Sequence, residues 1–256
     1  MTSQPTAEAL AGAIPAATVI IARDGPNGLE VLAIERAKGM GFAGGAIAFP
    51  GGKVDPGDNA RGPCFCGFEA LDPDDATSRV SAAREAFEEA GILLSTGPFL
   101  DTESRLRLRP ASDRHEIAFP DLLASIGHSL SAQTLIPFAR WLPPEGLHKR
   151  FDTRFYIAAL PPGEEMLADG HEAVLARWAT PAALLADADA GRISILFPTR
   201  CNIARLGQFE TVEALFADPV APPFIQPVIQ PDGWLTIPEG LGYNYTRARL
   251  ETVRGQ

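Results

Sequence analysis

Cysteine is scarce in this chain. Cys64, Cys66 and Cys201 form an odd set that cannot pair completely, which excludes a disulfide-stapled scaffold and fits a reducing compartment. Long apolar runs are lacking as well: none reaches the roughly 18 residues that a membrane span needs. Met1 to Pro5 show no basic stretch ahead of an apolar one, and Arg254-Gly255-Gln256 is not a peroxisomal SKL-type tail, so no secretory signal is expected and the sequence reads as cytoplasmic. Basic residues are in deficit. Lys and Arg number 22 against 32 Asp and Glu, a net charge of −10, which argues against capture of nucleic acid by clustered cations. A small anionic substrate is still admissible, because metal ions and a few placed basic groups neutralise phosphate locally. No Ser/Gly linker, charge block or internal repeat divides the 256 residues, so a single extended domain without a membrane segment is expected.

What is present alternates between strands and helices. Ala17 to Ala22 is an apolar run, Asp24 to Gly28 a turn, and Leu29 to Arg36 a returning strand. Ala46 to Phe49 resumes a strand into Pro50-Gly51-Gly52, and Leu135 to Trp141 and Arg154 to Ala159 give two more. A helix is predicted over about 77–90, started by Asp74, Asp75 or Thr77 and stopped by Gly91, and another over Pro181 to Ala190. Residues 12–205 read as the main domain. The Pro-rich stretch 217–240, within 206–256, reads as an irregular extension packed on it.

Glu85, Glu88 and Glu89 stand at i, i+3 and i+4 and share one face of the first helix. Like charges one turn apart repel, and carboxylates near a helix C-terminus oppose its dipole. A divalent cation would relieve both, with Glu85 and Glu89 as ligands and Glu88 as a ligand to a second ion or a base towards water. A solvated acidic face is the alternative reading.

Upstream, Phe49-Pro50-Gly51-Gly52 leads towards this helix, and together they resemble a Nudix box. Gly52, Arg84, Glu85, Glu88, Glu89, Gly91 and Ile92 fill motif places; Asp58 stands for the first Glu, Ala86 for a bulky aliphatic, and residues 59–83 occupy a stretch that is much shorter in the family, reading as an insertion outside the core. The wider pattern, with Phe42 to Gly45, Arg150 to Tyr156 and Trp178 to Pro181, is similar to the branch containing the peroxisomal coenzyme A diphosphatase and its bacterial relatives. The resemblance implies an α/β/α sandwich around a mixed sheet, Mg2+ or Mn2+ as cofactor, and hydrolysis of a nucleoside diphosphate linked to another moiety. It also implies that Arg84 orients the box glutamates by a salt bridge. A coenzyme A signature in the family is matched by Arg36, Ala37, Gly45 and Phe49 to Gly52, with Gly41 in place of a second Arg and Ile34 in place of Thr.

Arg36 is then a candidate for binding a substrate phosphate, with an exposed strand-end charge as its equal alternative, and Gly51 and Gly52 are candidates for close backbone approach to metal and phosphate. The expected products from coenzyme A or acyl-coenzyme A are 3′,5′-ADP and (acyl-)phosphopantetheine. ADP-ribose or a dinucleotide is the alternative substrate, and a nucleotide-sensing domain without turnover the alternative function. Glu172 is a candidate remote ligand, with a surface carboxylate as its plainer reading. Trp141 and Trp178 are candidates to stack on adenine or, more simply, to pack. Cys64 and Cys66 make half a zinc site at most, and His115, His128, His148 and His171 have no mutual metal spacing. Oligomeric state is left open.

Overall fold

The computed structural model describes residues 5–36, 45–145, 149–167 and 173–250. After the short helix α1 (Ala7–Leu10), strands β1 (Ile14–Gly25) and β2 (Gly28–Arg36) form an antiparallel hairpin. Gly25 faces Gly28 across Pro26-Asn27, and Gly28 takes φ 103°, a conformation open to glycine. The hairpin pairs only from Ala22 to Gly25 against Gly28 to Val31. Beyond that the strands part, and the next segment joins both: β3 (Ala46–Ala48) pairs with β2, then β4 (Gly51–Lys53) pairs with β1. The Phe49-Pro50 step carries the chain from one partner to the other, and Val19 donates its N–H to the Pro50 carbonyl at 2.9 Å.

The remaining sheet strands are β7 (Ile136–Trp141), β8 (Phe151–Ala159), β9 (Ala173–Ala179), β10 (Ser194–Ile195) and β11 (Phe224–Ile225). β8 runs parallel to β1 from Ile14↔Phe151 to Ala22↔Ala159, β7 is antiparallel to β8, and β9 is antiparallel to β2. The result is a nine-stranded mixed sheet in the order β10-β3-β2-β1-β8-β7-β11, with β4 on β1 and β9 on β2. Both faces are covered, which explains the apolar character of β1. Ala17, Val19 and Ile21 join one buried cluster, and Ile20 and Ala22 join another.

The first cluster lies under α2 (Pro73–Ala90) and α4 (Phe119–Ser125), with α3 (Thr102–Asp113) beside α2; the second lies under α5 (Pro181–Asp189), α6 (Phe197–Leu206) and α7 (Val212–Phe216). This is the α/β/α sandwich around a mixed sheet. No helix among the described residues is long and apolar enough to cross a membrane. Where an irregular tail was expected, β11 joins the main sheet and β12 (Val228–Ile229), β13 (Trp234–Thr236) and β14 (Arg247–Arg249) form a small antiparallel sheet. Ile225, Leu235, Ile237 and Ala248 sit in the second cluster.

Residues 59–83 are not an excursion from the core. α2 begins at Pro73, ahead of every start expected from the sequence, and Asp72 caps it by accepting the N–H groups of Asp74 and Asp75 at 3.0 and 3.3 Å. Before the helix, β5 (Phe65–Cys66) pairs with β6 (Leu130–Ser131). Cys64, Phe65, Phe68, Ala76 and Val80 all belong to the α2 cluster. Burying two phenylalanines is worth about 3–5 kcal/mol each against truncation to Ala. Excising residues 59–76 is therefore expected to abolish cooperative thermal unfolding, as followed by circular dichroism; a sharp transition near the intact temperature would refute this placement.

Candidate active site

The last turns of α2 hold the acidic face. Arg84, Glu85, Glu88 and Glu89 are all buried, and Gly91 ends the helix at φ 67°. One guanidinium organises the group. Arg84 Nε and Nη2 donate to Asp58 Oδ1 and Oδ2 at 2.8 and 3.0 Å, and Nη1 donates to Glu85 Oε1 at 2.9 Å and Glu88 Oε2 at 2.7 Å. Nη2 also reaches the Lys53 carbonyl at 2.9 Å and Ser81 Oγ at 3.2 Å. Asp58, itself 1% exposed, thus makes the two-pronged pair that planar guanidinium favours. Its Oδ2 further accepts the Asp55 N–H at 2.8 Å, which ties the loop to the helix.

Three buried carboxylates therefore share one guanidinium. Burial alone would lower the Arg84 pKa, but hydrogen bonding to Asp58 and the charges of Glu85, Asp58 and Glu88 raise it. Burial pushes Glu85 up to about 7, against the pull of Arg84 and with added repulsion from Glu88. Glu88 is raised too, first by burial, with Arg84 and the Ser112 hydroxyl opposing. Since Glu85 holds its proton more tightly folded than unfolded, its contribution favours folding at low pH and is lost as pH rises from about 4.5 to about 7. A cation held by the carboxylates competes with that proton. The rise in melting temperature on adding magnesium is expected to grow across the same interval; a shift flat from pH 5 to 8 would count against Glu85 as a ligand.

The two glycines serve different needs. Gly51 donates its N–H to Glu89 Oε2 at 2.8 Å and pairs with Thr18 in the sheet. A β-carbon on Gly51 would lie 2.4 Å from Thr18 Oγ1, 2.7 Å from the Ala17 carbonyl oxygen and 2.8 Å from Thr18 Cα. On Gly52 it would lie 2.3 Å from Glu85 Oε1 and 2.8 Å from that carboxyl carbon. Gly51→Ala collides with backbone and is expected to lower the melting temperature. Gly52→Ala displaces a side-chain end and is expected to leave the fold while weakening manganese binding in calorimetric titration. Equal melting loss in both variants would remove the distinction.

Glu85 and Glu89 thus meet the Gly51-Gly52 backbone, and the donor set is hard oxygen throughout, suited to Mg2+ or Mn2+. Among the described residues no group of three His, Cys, Asp or Glu side chains forms a ready cage. Both oxygens of Glu88 are engaged, Oε2 by Arg84 and Oε1 by the Ser112 hydroxyl at 2.5 Å.

Arg36 ends β2 at a register irregularity against β9, and its carbonyl accepts the Gly45 N–H at 2.8 Å. Its Nε is buried without a hydrogen-bond partner among the described residues. Ala37, Gly41, Glu172, His148 and His171 lie outside the described residues. His128 is structural: Nε2 donates to the Pro98 carbonyl and Nδ1 accepts the Ser95 hydroxyl, both at 2.9 Å. His115 sits at the rim, its Nδ1 3.1 Å from Asp55 Oδ2. Trp141 is buried in the cluster on the far face of the sheet, against Phe197 and Tyr243. Trp178 is capped by the Arg23 guanidinium at 4.3 Å. Trp141 thus lies on the side of the sheet away from the carboxylates, whereas Trp178 packs against the α2 cluster on their side. Cys64 is buried, Cys66 exposed and Cys201 in the opposite cluster, so they assemble no thiolate site.

A sequence model of the NUDT19 Nudix domain matches residues 59–206. The chain is 26% identical over 234 residues to the acyl-coenzyme A diphosphatase NUDT19 of Xenopus laevis, covering 73% of this chain and 62% of that one. To the human protein of the same name it is 27% identical over 237 residues, covering 74% and 63%. The chain thus spans somewhat less than two thirds of the length of these relatives. A solved structure, the NUDIX hydrolase from Alicyclobacillus acidocaldarius, matches with TM-score 0.70 and 30% identity over 78% of this chain and 94% of the other.

Proposed function

Because the chain belongs to the Nudix hydrolase family, we propose that it hydrolyses the diphosphate of a nucleoside diphosphate derivative, and that the derivative is coenzyme A or an acyl-coenzyme A. One observation carries the reading: Asp58, Glu85 and Glu88 converge on Arg84 while Glu85 and Glu89 close on Gly51-Gly52. A pure sensor has no need of so many buried carboxylates in one place, since each loses hydration on burial.

Glu85 and Glu89 would hold Mg2+ or Mn2+; when bound, the cation supplies positive charge to the diphosphate oxygens and acidity to the attacking water. The chain's own groups do the rest. Arg84 keeps the carboxylates oriented and remains charged. Glu88, held from both sides, accepts a proton from the water as it attacks phosphorus. Arg36 grips a substrate phosphate from the end of β2. Cleavage of the P–O–P bridge puts the water oxygen on one phosphorus and leaves the bridging oxygen on the other, giving 3′,5′-ADP and (acyl-)phosphopantetheine from coenzyme A derivatives. The names of the two NUDT19 relatives, acyl-coenzyme A diphosphatases, support that substrate, as do Arg36, Gly45 and the Phe49 to Gly52 turn.

The test is a hydrolysis screen with magnesium or manganese across coenzyme A, acyl-coenzyme A, ADP-ribose and NADH at equal concentration, with products identified by mass spectrometry. Release of 3′,5′-ADP is the expected result. Preferential release of AMP from ADP-ribose with coenzyme A untouched would overturn the substrate and keep the diphosphatase. No hydrolysis of any of them would overturn both.

A further inference from the structure

α3 turns an unusual face inward. Arg105, Arg109 and Ser112 stand at i, i+4 and i+7, and all three are buried. Together they clasp the end of α2. Arg109 Nη2 donates to the Glu88 backbone carbonyl at 2.6 Å, and Nη1 to the Leu167 carbonyl at 2.6 Å. Arg105 Nη1 donates to a Glu164 oxygen at 2.7 Å and lies 3.4 Å from the Gly91 carbonyl oxygen. Ser112, only 1% exposed, donates to Glu88 Oε1. Glu88 is thereby fixed at its backbone by one residue of α3 and at its carboxylate by another.

We propose that Ser112 is a positioning residue for Glu88, its hydroxyl and the Arg84 guanidinium together setting the orientation of that carboxylate. Arg84 alone engages one oxygen, about which the carboxylate can still turn; the Ser112 bond to the second oxygen removes that freedom. Alanine would fill nearly the same buried space. What distinguishes serine here is the hydrogen bond to a charged group, which is stronger than one between neutral partners. The proposal rests on the reading of Glu88 as part of a hydrolytic site.

The test compares the intact chain with Ser112→Ala, Ser112→Thr, Glu88→Gln and the Ser112→Ala/Glu88→Gln pair, using magnesium and the substrate found in the screen. Ser112→Ala is expected to lower kcat about tenfold or more, the range of a hydrogen bond to a charge, with KM unchanged and a melting transition that stays cooperative at a somewhat lower temperature. Ser112→Thr restores the hydroxyl and should recover most of the rate. The double variant should be no slower than Glu88→Gln alone, because a residue that acts through Glu88 has nothing left to act on. Multiplying losses, or wild-type kcat in Ser112→Ala, would overturn the proposal. Absence of hydrolysis by the intact chain would instead overturn the hydrolytic reading, and a crystal structure of the Ser112→Ala chain then decides the positioning separately. A displaced Glu88 carboxylate supports it, and an unmoved one refutes it.

Discussion

Replacing Glu85 or Glu89 with Gln should lower turnover by at least about a hundredfold under saturating magnesium, the scale of losing one electrostatic contact to a developing charge. The same changes should leave the metal-free chain folded. Glu85 shows why the two effects separate. Its carboxyl is raised above the usual carboxylate range, first by burial, so an uncharged amide of equal size replaces a group that burial and Glu88 disfavour in its charged form. The Arg84 Nη1 hydrogen bond can pass to the amide oxygen. For Glu89 the amide oxygen can likewise keep the Gly51 N–H. What Gln cannot supply is a negative ligand for a hard cation. Hydrolysis rates across a magnesium titration, with melting curves taken without metal, check both halves. Near-normal turnover at saturating magnesium would refute the ligand assignment, and loss of cooperative melting would show these carboxylates to be structural.

The acidic face was legible because it is local. A spacing of three and four residues places Glu85, Glu88 and Glu89 together in any helix, and Gly91 marks its end. The β1–β2 hairpin was legible for the same reason, through its turn residues. Contacts made at a distance were not. Asp58 meets Arg84 across 26 residues and Ser112 meets Glu88 across 24, and neither separation has a period. α3 escaped the sequence reading because its inward face is Arg105, Arg109 and Ser112, so the apolar periodicity that announces a helix is missing while Leu106 faces outward, 47% exposed. Residues 59–83 read as an insertion because Gly62, Pro63 and the acidic stretch Asp72 to Asp75 dominate them, whereas Phe65 and Phe68 carry the packing. The unfavourable dipole at the helix end has a second relief besides a cation, since Arg105 and Arg109 from α3 bring positive charge to the carbonyls of Gly91 and Glu88.

Among single substitutions, removing the Arg84 guanidinium should have the largest effect on stability. Arg84→Ala leaves Asp58, Glu85 and Glu88 buried without their shared donor, and deleting one partner of a buried ion pair typically costs about 3–5 kcal/mol. For a chain of this size that corresponds to a fall in melting temperature of about 6–20 °C at neutral pH. Arg84→Lys keeps the charge but lacks the fork, so it cannot serve both Asp58 oxygens together with Glu85 and Glu88, and should fall between wild type and Ala. The sign of the pH response follows. Without Arg84, Glu85 and Glu88 hold protons more tightly still, so the variant should recover stability relative to wild type as pH falls from about 7 towards 5, where those two stranded charges are neutralised. Asp58→Asn in the same background should recover part of the loss at neutral pH by removing one of those charges. Melting curves from pH 5 to 8 on the single and double variants measure all of this. If Arg84→Ala melts like the intact chain at neutral pH, the guanidinium is not what makes a buried cluster of acids tolerable at this end of α2.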